Sequence, residues 1–334
     1  MNHLVGSSSF SDASSSGKVS WVYDIDDNFD GHQLYRFCGF KGESIAGWKK
    51  IARMVILNSA IVETVSQAKK RIALFDTRIE PQGLRIIGKS GTGKSTAIRL
   101  LLSELQDPTV VDFQNDKIAH HVRLMKRSTR LSIVREGLQK FGHPLGVRNI
   151  NSQTFDVKLE LFIRALEQAQ TRVLLIDEAQ NVYACSRGKN QKSNSENEIT
   201  DLICYISDRL RIPVVLVGHP ELAKLEEFDV GLASRVRTTV LMPTLNADLW
   251  QESLEAYLHA LSEFGDPSPL VEPKCFQRIK AHVDGQQRQL KRLISEIALH
   301  SIEHGIKRMD HQVLDTAINA LKKHEIDNES GQLL

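Results

Sequence analysis

Residues 88–95 read Gly88-Lys89-Ser90-Gly91-Thr92-Gly93-Lys94-Ser95, and they follow directly on an apolar run, Leu84-Arg85-Ile86-Ile87. The glycines let successive backbone N–H groups turn inward on a polyanion. Lys94 sets a point charge among the β and γ oxygens of a triphosphate, and Ser95 offers a hydroxyl to Mg²⁺. From Thr96 to Leu105 the pattern predicts a helix whose positive end faces the same anion. A surface turn with chance glycines would lack the Lys-Ser pair and both flanking elements. The stretch therefore predicts ATP with Mg²⁺ as the ligand, bound where a strand hands over to a helix.

Downstream, Arg172-Val173-Leu174-Leu175-Ile176-Asp177-Glu178-Ala179-Gln180 is an apolar run that ends in two acids. Short apolar runs of this kind suit a central parallel strand buried on both faces. Asp177 then emerges at the strand's carboxyl end, where open α/β sheets place their ligands. It can support Mg²⁺ beside Ser95, directly or through water. Glu178 is the candidate to orient and polarise the attacking water, because phosphoryl transfer depends on positioning and charge stabilisation.

Between and beyond these two motifs the pattern alternates strand and helix, which predicts an α/β core: a mainly parallel sheet with helices on both faces. Thr109–Phe113 is a strand candidate. Leu131, Val134, Leu138 and Phe141 form a helical stripe stopped by Gly142 and Pro144, and Phe155 to Leu166 form another. Ser59 is a candidate cap for a helix lined by Ile61, Val62, Val65, Ile72 and Phe75. Residues 187–193 read as a polar loop. After Leu245 strand patterns cease, and stripes at 249–261, 276–283, 290–299 and 313–321 predict a helical lid. The expected division is a serine-rich tail at 1–20 without fixed structure, an arm or docking segment at 21–54, a nucleotide-binding domain at 55–245, the lid at 246–323 and a flexible tail at 324–334.

In this order the segments resemble the AAA+ class of phosphate-loop ATPases, with Asp177-Glu178 as its acidic pair. Val214-Val215-Leu216-Val217-Gly218-His219 resembles the strand that ends in sensor 1, although His219 stands where Asn, Thr or Ser is usual. A neutral imidazole can still hydrogen-bond a γ-phosphate or water; the other reading is a loop histidine beside Pro220. Leu232-Ala233-Ser234-Arg235-Val236-Arg237 resembles the segment that lends an arginine finger to a neighbouring subunit, with Arg235 favoured over Arg237. Gly285-Gln286-Gln287-Arg288-Gln289-Leu290 resembles the sensor-2 lid segment. That makes Arg288 a candidate contact to phosphate, against the reading of a helix-surface charge like Lys291 and Arg292. Over residues 55–300 the chain most resembles the TnsC/TniB group of transposition regulators.

From Lys117 to Arg148 there are eight Lys and Arg residues against one acid, Glu136, in a chain whose net charge is only +2. Lys117, Arg123, Lys126, Arg127 and Arg130 are the candidate DNA contacts. The last three fall at or just before a helix start, a geometry suited to phosphate. Few aromatics accompany them, so duplex backbone binding fits better than stacking on single strands. A charge run is otherwise an ordinary solvated face. The family resemblance favours DNA, because in TnsC-like rings the corresponding region faces a threaded duplex.

Four cysteines at 38, 185, 204 and 275 form no Cys-x-x-Cys pair and read as reduced thiols. No apolar run reaches the roughly 20 residues needed to span a bilayer, and no leader pattern opens the sequence. A cytoplasmic ATPase without membrane partners is the expectation. The resemblance implies self-assembly into a ring or filament on duplex DNA, with hydrolysis driving disassembly. It also implies a transposase, a TniQ-type target-selection protein and an RNA-guided complex as partners. A helicase-loader or secretion-type ATPase, and a non-turnover ATP switch, are the alternative functions.

Overall fold

The computed structural model of the chain describes residues 20–23, 51, 54–74, 81–105, 118–146, 154–185 and 198–330. Five strands form one parallel sheet: β3 (Leu84–Ile87), β4 (Ala119–Arg123), β5 (Val173–Asp177), β6 (Val214–Gly218) and β7 (Thr238–Leu241). Their spatial order is β4-β5-β6-β3-β7. A separate antiparallel pair joins β1 (Ser20–Tyr23) to β2 (Met54–Leu57).

The three inner strands are apolar along nearly their whole length because both faces are covered. Leu84, Ile86, Val173, Leu175, Val215 and Val217 face one layer, packing on α1 (Ser59–Ala73) and α2 (Lys94–Leu105). Ile87, Leu174, Ile176, Val214 and Leu216 face the other. That layer is built from α3 (Arg130–Lys140), α4 (Phe155–Gln168) and α5 (Glu198–Leu210), with the short helix α6 (Val230–Arg235) beyond them. Edge strand β7 alternates half-buried and exposed residues, as an edge should.

A third core holds the lid: α7 (Ala247–Leu261), α8 (Pro273–Val283), α9 (Gln287–His304) and α10 (His311–Ser330). Strand β2 is shared between cores. Met54 and Ile56 pack among the lid residues, whereas Val55 and Leu57 pack with α1. The period-2 alternation of one strand thus ties lid to sheet. The expected boundary at 54/55 falls inside this strand.

The structure differs from sequence expectations in three local ways. The strand before α3 is Ala119–Arg123, while the candidate at Thr109–Phe113 lies outside the described residues. So do residues 1–19 and 24–50, the 187–193 loop, Lys117, Arg148, Phe75 and the last four residues of the tail. The cap of α1 is Asn58 rather than Ser59: Asn58 Oδ1 accepts the Ile61 N–H at 3.0 Å from an extended backbone, leaving Ser59 as the first helical residue. Val62 sits on the exposed side of that helix, not on its apolar stripe. Helix α3 begins as expected, because Thr129 and Ser132 close a reciprocal capping box at its start.

Candidate active site

The loop between β3 and α2 is shaped by its glycines. Gly91 and Gly93 have φ of +78° and +93°, a region costly for residues with a Cβ. Gly88 N–H donates to Gly218 O at 3.1 Å, anchoring the loop to the end of β6. The Thr92 hydroxyl closes the turn on Lys89 O at 3.0 Å. Lys94 Nζ donates to the carbonyls of Gly88 at 2.6 Å and Lys89 at 2.7 Å, so the ammonium sits in the bowl of its own loop. Burial pushes its pKa below the usual lysine value, opposed by the nearby Glu178 and Asp177 carboxylates.

One cavity gathers most of the predicted residues. Ser90, Gly91, Gly93, Lys94, Ser95 and Thr96 line it from the loop and α2, Asp177 and Glu178 from β5, His219 from β6, and Arg288 from the lid. Gly88, Lys89 and Thr92 belong to the loop's framework rather than its lining. Parallel pairing sets the loop after β3 next to the residues that follow β6, and β5 pairs with β6 on the other side. Asp177 Oδ1 accepts the Glu178 N–H at 2.9 Å. Glu178 itself has φ of +53°.

The lid closes this cavity through its backbone. Arg288 N–H donates to Gly91 O at 3.2 Å, so α9 starts directly over the phosphate loop. A Cβ on Gly93 would stand 2.7 Å from Gln287 Oε1 and push that amide aside. Lys291 lines the cavity as Arg288 does, while Arg292 is exposed outside it.

Arg235 does not join this assembly. It ends α6 near the amino-terminal edge of the sheet, where its carbonyl accepts the Gly83 N–H at 2.7 Å, just before β3 begins. The phosphate loop leaves the opposite end of the same strand. The Arg235 guanidinium forks onto Asp208, with Nε at 2.9 Å and Nη2 at 2.6 Å, and Nη1 donates to Gly231 O. Arg237 is exposed beside it, along the cleft formed by Pro81, Gln82, Gly83 and Ser234.

The basic segment divides. Arg123, the last residue of β4, pairs in register with Asp177, and its Nη2 lies 3.6 Å from Glu178 Oε1. It stands at the nucleotide cavity's acidic wall. Lys126 and Arg127 are exposed at the tip of a turn closed by Ser128 N–H to Met125 O at 3.0 Å. Arg130 pairs with Glu198 at 3.4 Å and lies over the Phe155 ring at 4.5 Å.

Sequence reasoning missed several contributors: Arg99 one helical turn beyond Ser95, Met54, Val55 and Ile56 of β2, Tyr257 from the lid, and the side chains of Gln180 and Gln287. Only the position of Arg99 carried a signal, since an i+4 residue on α2 shares a face with Ser95.

This donor set fits Mg²⁺-ATP. Lys94, Arg99, Arg288 and Lys291 are cations on a cavity whose other wall carries Asp177 and Glu178. Among the described residues no group of three or more His, Cys, Asp or Glu could hold a metal. Ser95 and Asp177 would be the side chains here that hold Mg²⁺, which takes few protein ligands when a nucleotide's phosphates share it.

Residues 80–226, from just before β3 into the short helix Leu225–Phe228 after β6, match the family model of the AAA domain. Comparison with curated protein sequences finds no match. Among solved structures, the Aeropyrum pernix ORC1 protein in complex with DNA is similar with a TM-score of 0.56 at 16% identity, over 78% of this chain and 65% of its own. The Aeropyrum pernix ORC2 protein in its ADPNP-ADP complexes is similar with a TM-score of 0.56 at 16% identity, over 77% of this chain and 67% of its own. Its ADP form gives 0.54 at 15%, over 76% and 67%. At such identity the likeness is one of fold: an AAA+ α/β core, a five-stranded parallel sheet and carboxyl-terminal helices. The chain spans 65% of the length of the first of these structures. Among the described residues no helix is long and apolar enough to cross a membrane.

Proposed function

We propose that this chain is an ATP-hydrolysing regulator that assembles subunit to subunit on duplex DNA and links target selection to a transposase, with hydrolysis driving disassembly. The observation that carries the assembly is the distance of Arg235 from its own phosphate loop, across the length of β3. An arginine there serves a triphosphate only if a second subunit brings its loop to it. Ligand bound at such a junction stabilises the junction, so nucleotide state and assembly are linked.

On this reading Lys94 and Arg288 balance charge on the β and γ oxygens. Ser95 and Asp177 would hold Mg²⁺, which would draw charge off those oxygens when bound. Glu178 accepts a hydrogen bond from the attacking water and orients it in line, and the His219 imidazole reads the γ-phosphate. The backbone of Gly91 and Gly93 cradles the phosphates without side chains in the way. Arg235 leaves Asp208 and stabilises the transition-state charge across the junction. The lid, already bonded to Gly91, excludes water from the sides.

Duplex DNA enters this reading through Lys126 and Arg127 on their exposed turn. A protein of similar fold in complex with DNA lends support. The transposase, a TniQ-type protein and an RNA-guided complex rest on the motif resemblance over residues 55–300.

Mixing tests the assembly. Arg235→Ala should bind nucleotide normally yet lose duplex-dependent turnover, by about 10³-fold if it acts as a finger. Lys94→Ala should lose nucleotide binding. Co-assembled, they create one junction with an intact loop and an intact arginine, and turnover should partly return. Electron microscopy with duplex DNA and a slowly hydrolysed ATP analogue should show rings or filaments. No rescue in proven mixed assemblies would shift the role to Arg237 or remove it. A protein that binds no duplex in any nucleotide state would end the DNA reading.

A further inference from the structure

Gln180 closes the Asp177–Gln180 run, and the reading above gives it no part. Its Nε2 donates to Glu178 Oε2 at 2.6 Å, a short bond to a charged acceptor. Its Oε1 accepts the backbone N–H of His219 at 3.1 Å. One amide thus bridges the acid that follows β5 to the residue that follows β6. Two features show that the fold makes room for this bridge. Glu178 adopts a left-handed backbone, φ +53° and ψ +37°, which sends the chain straight into the 3-10 turn Ala179–Asn181 that carries Gln180. Strain of this kind in a non-glycine residue persists where the surroundings fix it. Gly218, at the end of β6, has no side chain where one would collide: a Cβ there would lie 2.5 Å from Gln180 Oε1.

We propose that Gln180 is a positioning residue that fixes the rotamer of Glu178 and couples it to the end of β6, so that contact of His219 with a γ-phosphate sets the carboxylate that faces the water. The amide holds Oε2, and Oε1, 3.6 Å from Arg123, remains an acceptor. This proposal rests on Glu178 as the water-orienting acid. Recognition of the phosphate end and activation of water then operate as a single hydrogen-bonded unit rather than as two independent groups.

Gln180→Met keeps the volume and removes donor and acceptor. It should lower kcat by roughly 10- to 100-fold, as small misplacements of catalytic groups do, while the affinity for an ATP analogue stays within about twofold. Gly218→Ala should cost a similar factor in the parent, because its Cβ displaces the amide. In a Gln180→Ala background it should add much less, since the 2.5 Å clash with the amide is gone and the next neighbours, Gln180 N at 3.3 Å and Leu222 Cδ2 at 3.4 Å, need yield only a few tenths of an ångström. Contacting residues show such non-additivity; independent ones do not. Thermal melts of each variant separate positioning from folding, and only variants that melt with the parent are compared. Parental kcat in Gln180→Met beside a slow Glu178→Gln overturns the proposal, as does simple addition of the Gly218 and Gln180 costs. A fast Glu178→Gln instead overturns the reading of the acid on which the proposal stands.

Discussion

The phosphate loop and the turn after β4 look alike from a distance. Both are cationic, both leave the carboxyl end of a strand in the same sheet, and both run into the start of a helix. Up close they differ in where the cations go. In the loop, backbone geometry drives Lys94 inward, onto the carbonyls of Gly88 and Lys89 and into a half-buried bowl. After β4 the charges disperse. Arg123 turns to Glu178, Arg130 to Glu198 and Phe155, and Lys140 to Glu136 at 2.8 Å and to His121 O at 2.7 Å. Lys126 and Arg127 stay at the exposed tip. Eight consecutive loop residues fix one geometry, because the chain itself aims the groups. A count of charges over thirty residues fixes none.

The largest effects should therefore come from the convergent region, and the first prediction tries to break that expectation. Lys94→Ala should abolish measurable ATP-analogue binding. Glu178→Gln should bind the analogue like the parent yet turn over ATP about 10²- to 10⁴-fold more slowly, the range for loss of a positioned acid–base group. Turnover assays with fluorescent-analogue titrations separate the two. Equal binding by Lys94→Ala and the parent would mean that the bowl does not hold the phosphates.

The dispersed region should respond more weakly and unevenly. With an ATP analogue bound, removing Lys126 and Arg127 should each flatten the log–log salt dependence of duplex binding by roughly 0.9, one phosphate contact each. Arg130→Ala should barely change that slope. Its charge is already matched by Glu198 and stacked on Phe155, so its loss should cost about 1 kcal/mol or less of fold stability, as exposed pairs do. Equal slopes for all three variants would show that the observed pairing does not govern DNA contact. A triple variant with the parent's slope would move the DNA path elsewhere.

The same contrast explains what was legible. The order β3, loop, α2 and the apolar run ending at Asp177 could be read because each is local and each carries its chemistry in consecutive residues. The lid helices were legible from their period alone. Strand β4 was not, because Ala-His-His-Val-Arg carries two histidines where a strand core is expected to be aliphatic. His120 is 2% exposed, stacked on Phe141 at 5.5 Å and edge-on to Phe162 at 5.1 Å, so its ring fills an apolar place that hydrophobic counting does not award it. The cap at Asn58 was missed by one residue, since Asn and Ser are near-equal caps and only backbone geometry decides. The bridge through Gln180 joins residues 39 positions apart, beyond any local pattern. Arg235, whose sequence context suggests a residue for another subunit's site, pairs with Asp208 of its own chain at the end of β3 opposite the phosphate loop.

The smallest expected effect sharpens the comparison through pH. Burial lowers the Lys94 pKa in the free protein. A triphosphate in the bowl favours the ammonium, so the bound state holds the Lys94 proton to higher pH than the free state does. Between those two values binding takes up a proton. Affinity must then fall as pH rises through the free-state pKa, by at most about one log unit per pH unit for one group. The decline should begin below the ordinary lysine value of 10.5. Protein stability is a poor reporter here, because burial also raises Tyr257 and takes Tyr183 to about 12. For a tyrosine raised in the fold, the native state holds more protons than the unfolded one, so stability falls with pH in that window. Lys94 has the opposite sign, since its lowered pKa makes the unfolded state the better proton binder there. Nucleotide affinity is therefore the quantity to follow, at pH values where circular dichroism is unchanged, with calorimetry in two buffers of different ionisation enthalpy counting the protons. A flat affinity with no proton uptake up to the onset of unfolding would mean that burial in the bowl does not hold Lys94 below its ordinary value, and the two cationic regions would differ only in shape.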